Sequence, residues 1–107
     1  MAQNPKKGEE REGDLVTERK RKVEKPRRFK VVFHNDDYTT MEFVVLALMR
    51  FFHKTETEAR QIMLTVHHKG QGVAGTYSRD VAESKVSQVT DFAREHGAPL
   101  KLTTEPA

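Results

Sequence analysis

The sequence predicts an α+β domain in which three helices pack on a small three-stranded antiparallel sheet, in the order β-α-α-β-α-β, behind a disordered N-terminal tail. Three observations lead there. Apolar residues alternate with others at 29–33 and 100–104, they recur at helical spacing in three stretches between, and charge is segregated along the chain. Residues 1–30 hold 11 of the 19 Lys+Arg against 6 of the 16 Asp+Glu, a net +5, while residues 31–107 hold the other 8 basic and 10 acidic residues, a net −2. The nearly neutral remainder, roughly 75 residues, is close to the lower size for unaided folding, so a single domain over 29–107 is expected.

From Met1 to Arg28 the only branched apolar residues are Leu15, Val16 and Val23. Burial there does not recover the entropy of ordering, and residues 1–28 are expected to be a disordered basic extension. Its Arg19-Lys20-Arg21-Lys22 run reads as a solvated cluster rather than a nucleic-acid site, because Glu18, Glu24 and four further acids are mixed in.

Phe29, Val31 and Phe33 alternate with Lys30 and Val32 as a half-buried strand that ends at His34-Asn35-Asp36-Asp37, where polar side chains compete with backbone pairing. Thr39 followed by Glu42 has the spacing of a capping box, and Met41, Val44, Val45, Leu48 and Phe52 then mark a helix over about 40–53. A second box, Thr55 with Glu58, opens a helix with the stripe Ala59, Ile62, Met63, Val66 and His67, and Gly70 is placed to end it in the left-handed region. Gly70-Gln71-Gly72 reads as a turn before a short strand, Val73–Tyr77. Ser78 caps a third helix with the stripe Val81, Ala82, Lys85, Val86, Val89, Phe92 and Ala93, which Gly97 and Pro99 stop before a last strand, Leu100–Thr104.

Several function classes drop out. Without cysteine there is no disulfide, thiolate zinc site or cysteine nucleophile. The longest apolar run, Phe43–Met49, is far short of the ~20 residues of a membrane-spanning helix. No apolar export segment stands in the first 30 residues, so a cytoplasmic protein is expected. No serine or threonine sits in a nucleophile elbow or a phosphate loop, and catalysis is not expected.

The dense polar cluster is His34-Asn35-Asp36-Asp37, with His67 and His68 near the end of the second helix. A metal centre of His67, Asp36 and Asp37 is one reading, but adjacent histidines lie ~100° apart around a helix and do not chelate together, so neither metal nor cofactor is expected. A second reading makes His67 a core imidazole bonded to a backbone carbonyl. In a third, Asn35, the two aspartates and a neutral His67 surround a cationic ammonium group, while Met41, Val44, Met63 and Val66 wall an apolar hole beside it.

The blocks Asn35-Asp36-Asp37-Tyr38-Thr39-Thr40-Met41-Glu42-Phe43-Val44, Met63-Leu64-Thr65-Val66-His67, Val81-Ala82-Glu83-Ser84-Lys85 and Pro99-Leu100 closely resemble the ClpS family, over about residues 29–105. Its members are bacterial and plastid adaptors that deliver N-end-rule substrates to a Clp AAA+ unfoldase and its peptidase, ClpP. The resemblance implies that Asn35 and His67 contact a substrate's α-amino group, with Asp36 assisting through water. It implies a side-chain pocket of Phe33, Asp37, Thr39, Met41, Val44, Met63, Val66 and Leu100, with Met41 as its gate. It further implies an unfoldase-facing surface that includes Asp80, Glu83 and Lys85, and an N-terminal extension needed for delivery. The chain departs from the family pattern at Thr40, where Pro is common, at His68, where Tyr is frequent, and at Asp80, where Glu is frequent.

The expectation is therefore a monomeric, non-enzymatic adaptor that needs no cofactor and binds neither nucleic acid nor membrane. It takes proteins that begin with Leu, Phe, Tyr or Trp and hands them to a ClpA-type unfoldase. The rival reading is a ribosome-associated module, because the L7/L12 C-terminal domain resembles ClpS in fold and a basic tail suits RNA.

Overall fold

A computed structural model describes residues 26–107, and the expected disordered extension lies outside the described residues apart from its last three. The elements are β1 (Arg28–His34), α1 (Met41–Phe52), α2 (Glu56–Lys69), β2 (Gln71–Ser78), α3 (Arg79–Glu95) and β3 (Lys101–Pro106). The sheet is fully antiparallel in the order β2-β1-β3. With partners on both edges, β1 is the central strand, and Val31, Val32 and Phe33 are almost completely buried. Val31 and Phe33 face the helices. Val32, on the opposite face, lies between its cross-strand neighbours Val73 and Thr103.

One core joins the two layers. Val44, Val45, Ala47, Leu48 and Phe52 of α1, Ala59, Met63 and Val66 of α2, and Ala82, Val89 and Ala93 of α3 close over Val31, Phe33 and Ala74. Phe33 meets Phe52 edge to face at 5.5 Å, and Phe92 of α3 stacks on Phe43 of α1 at 5.3 Å, geometries that add to simple area burial. Lys85 crosses from α3 to donate from Nζ to the Phe51 carbonyl at 2.6 Å, satisfying an orphan acceptor in the last turn of α1. Among the described residues no helix is long and apolar enough to cross a membrane.

The architecture is the expected one, and the local departures have physical causes. The cap of α1 is Thr40, whose hydroxyl accepts from the Phe43 N–H, and not Thr39. Asp36 has captured Thr39 through both its N–H and its hydroxyl, and Glu42 is turned toward Arg60. The second box forms as read, with Thr55 and Glu58 bonding reciprocally and Gly70 capping at φ 89°. Gly72, expected in a turn, is a buried strand residue opposite Phe33. A Cβ there would come within 2.9 Å of Val66 Cγ2, so glycine lets α2 lie close on the sheet. Between Val31 and Val32 the register slips past Ala74, a bulge that turns its methyl into the core. Val81 is exposed rather than buried, because it lies about 100° around α3 from Ala82, off the contact stripe. The last strand reaches Pro106 because its ladder follows β1 back to Phe29.

Candidate functional site

Where β1 ends, the chain turns across the end of α2. The Asn35 N–H donates to the carbonyl of Gly70, the cap of α2, at 2.9 Å. That single bond ties the polar loop to the helix end carrying His67, three residues earlier. Asp36 then folds the rest of the loop. Its Oδ1 accepts from the N–H groups of Tyr38 and Thr39 at 2.8 and 2.6 Å, and its Oδ2 accepts from the Thr39 hydroxyl at 2.7 Å. Partial burial pushes the Asp36 carboxyl up, but the bonds from Thr39 and Tyr38 outweigh it and hold the group below its ordinary 3.8. With about four lone-pair sites on a carboxylate, three are spent on the loop and one remains on Oδ2.

The loop, the start of α1 and the second half of α2 enclose a cleft of about 390 Å³, within the range of small-ligand sites. Asn35, Asp36, Asp37, Thr39 and His67 contribute polar lining, and Met41, Val44, Met63 and Val66 the apolar walls. The structure thus brings together nine of the residues singled out in the sequence. Phe33 and Leu100 are not in the lining. Both are buried in the core cluster that also holds Val44, Met63 and Val66, and Leu100 borders a separate groove beside Thr90 and Arg94. Tyr38, four-fifths exposed, and Thr40 line the cleft without having been read as site residues. The available signal was their position inside the same polar loop.

His67 is exposed, which removes the core-imidazole reading. Its ring meets that of His68 edge to face at 5.3 Å. Among the described residues no three of His, Asp and Glu converge in a way that holds a metal ion. The cleft therefore joins hydrogen-bond acceptors to an apolar wall, and among the described residues no lysine or arginine lines it. An ammonium group suits the polar part and a large apolar side chain the rest.

On the far side, Asp80 and Glu83 are exposed in the first turns of α3, with Glu83 within 3.6 Å of Arg79. Lys85 is different: half-buried, it points at the Phe51 carbonyl and lies over the rings of Phe52 and Tyr77 at 5.6 Å.

The family described as ATP-dependent Clp protease adaptor protein ClpS matches residues 24–103. The chain belongs to the ClpS family. The Clp protease adapter ClpS of Deinococcus radiodurans is 56% identical over 95 residues, covering 89% of this chain and 84% of that protein. Its counterpart in Desulfatibacillum aliphaticivorans is 55% identical over 94 residues, covering 88% and 90%. Among solved structures, Agrobacterium tumefaciens ClpS2 bound to L-phenylalaninamide superposes with a TM-score of 0.75 at 42% identity, over 78% of this chain and all of that one. Membership decides between the adaptor and ribosomal readings, and it makes this ClpS chain part of a family of protease adaptors rather than of proteases.

Proposed function

We propose that the chain is an N-degron adaptor. It takes a protein whose first residue is Leu, Phe, Tyr or Trp by that side chain and by the free α-amino group, and it delivers the protein to a ClpA-type unfoldase for degradation by ClpP. The observation that carries this reading is the juxtaposition of Asn35 and His67, acceptors on the polar side of the cleft, with Met41, Val44, Met63 and Val66 on its apolar side. An α-ammonium has three donors to place, against an amide oxygen, an imidazole lone pair and, through water, the remaining Oδ2 site of Asp36. Each hydrogen bond to a charged group is worth ~1.5–3 kcal/mol, and burying a large apolar side chain adds ~1.5–3 kcal/mol. Neither part alone makes a tight site; a free N-terminus with a bulky first side chain supplies both. The ligand named with the Agrobacterium protein, a phenylalanine derivative with a free amine and a benzyl side chain, has this chemistry.

Delivery is a separate surface. Asp80 and Glu83 lie exposed on α3 for an unfoldase contact, Glu83 beside Arg79, while Lys85 contributes by anchoring α3 to α1 rather than by reaching out. Residues 1–28 are the extension that delivery requires. The adaptor acts as a cytoplasmic monomer without catalytic chemistry of its own. The test is reconstitution: a folded reporter beginning with Leu is incubated with ClpA, ClpP and ATP, with and without the chain. Turnover should depend on the chain and disappear when the reporter begins with Met-Leu. Turnover that ignores the chain, or its first residue, would refute the proposal.

A further inference from the structure

The apolar walls of the cleft belong to two different helices. Met41 and Val44 come from the first turn of α1, Met63 and Val66 from α2, so the spacing of those helices sets the width open to a ligand side chain. Arg60 of α2 reaches across this seam to Glu42, the residue next to Met41. Its Nη1 and Nη2 donate to the two carboxylate oxygens of Glu42 at 3.1 and 3.3 Å, and its Nε donates to Glu56 at 3.0 Å. A guanidinium fork on a carboxylate fixes direction as well as distance. Arg60 stands one helical turn before Met63, and Glu42 one residue after Met41, so the clamp joins the first turn of α1, which carries its wall, to the turn of α2 that precedes its wall.

We propose that Arg60 is a positioning residue for specificity: the Glu42–Arg60–Glu56 clamp holds the Met41 wall at a fixed distance from the Met63 wall and thereby decides whether a side chain branched at Cβ enters the cleft. The inference rests on the N-degron reading above and adds the device that sets its selectivity. Stability and specificity separate cleanly here. Arg60 and Glu42 have side chains 42% and 72% exposed, and ion pairs so exposed contribute little to folding. A shift of one helical turn by a few tenths of an ångström nevertheless matters where two heavy substituents at Cβ must pass.

The test uses the full chain with Arg60→Met, Arg60→Lys and the near-isosteric Glu42→Gln. Two labelled peptides differing only in a first Leu or Ile are titrated by fluorescence anisotropy at low and at high salt. The unmodified chain should prefer Leu. In Arg60→Met and Glu42→Gln the Leu-to-Ile ratio should narrow about threefold, the size expected of a loosened ion pair, while the melting temperature falls by no more than about 4 °C. Arg60→Lys, which keeps the charge and loses the fork, should narrow it too. At about 1 M salt, where the screening length is about 3 Å, the unmodified chain should drift toward Arg60→Met and Glu42→Gln, and those two variants should not move. An unchanged ratio in both Arg60→Met and Glu42→Gln, with Leu still bound, overturns the clamp and leaves the N-degron reading intact. Failure of the unmodified chain to bind the Leu peptide overturns both.

Discussion

Asn35 and Asp36 are neighbours with opposite duties. Asn35 spends its backbone N–H on Gly70 and its side chain lines the cleft, whereas Asp36 spends its side chain on Tyr38 and Thr39. The division has a pH signature. Burial resists ionisation of Asp36, but the bonds from Thr39 and Tyr38 prevail and lower its folded value below 3.8. A group depressed by folding contributes fully above its unfolded value and is lost as pH falls through the folded one. Thermal melts taken from pH 7 to 3 should therefore show an increment of stability disappearing below about pH 4 that Asp36→Asn does not have; parallel curves for the two proteins would contradict it. Met41 supports a second expectation. It is 42% exposed, so it is a cleft edge and not a core side chain. Leu and Ile have equal carbon counts, so rejection of Ile comes from steric overlap at Cβ, worth ~1–3 kcal/mol. Met41→Ala should raise affinity for an Ile-initiated peptide more than for Leu, with far less than the ~2–5 kcal/mol loss of stability that truncating a buried methionine brings. An unaltered Leu-to-Ile ratio together with a large fall in melting temperature would show Met41 to be core.

At the scale of elements, what could be read from the sequence was whatever rests on nearby residues. The Thr55–Glu58 box and the Ser78 cap are decided within one or two turns and form as read, and so do the helical stripes except at Met41, His67 and Val81, which are exposed. The Thr39–Glu42 box fails because Asp36 and Arg60, partners chosen by tertiary structure, draw both side chains away. Likewise the Asn35–Gly70 bond, which joins the loop to the end of α2, has no local sequence signal, so His67 was open to a core reading that its exposure excludes. Loop chemistry and periodicity indicated Asn35, Asp36, Asp37, Met41, Val44, Met63, Val66 and His67. Thr39, Phe33 and Leu100 came only from the family resemblance; Thr39 lines the cleft, and the other two lie in the core cluster with Val44, Met63 and Val66. Gly72 was misread for the same reason as Thr39: its role depends on α2 packing on the sheet. Gly72→Ala would set a Cβ 2.9 Å from Val66 Cγ2, on a valine whose χ1 is stiff in a helix. The expected result is a loss of ~1–3 kcal/mol in urea unfolding, and weaker peptide binding as Val66 is pushed out of place. Unchanged stability and affinity would mean that the helix yields freely there.

For the whole molecule, the cleft is built from a short span of chain. Among the described residues, every one that lines the cleft falls between Asn35 and His67, and the core begins at Val31. Deleting residues 1–24 should leave peptide affinity and melting temperature unchanged while unfoldase-dependent turnover of a Leu-initiated reporter stops. Normal turnover by the truncated chain would refute this separation. The departures at Thr40 and His68 do not remove the acceptors or the walls: Thr40 serves as the α1 cap, and His68 is exposed beside His67. The proposed role of the cleft is to take a free ammonium and a bulky apolar side chain together. Its most direct test is calorimetric titration of the chain with one Leu-initiated peptide and with the same peptide acetylated on its α-amine. Acetylation removes the charge and leaves the side chain, so binding should fall at least about tenfold, the loss of one hydrogen bond to a charged group. Equal affinity for the two peptides would contradict it.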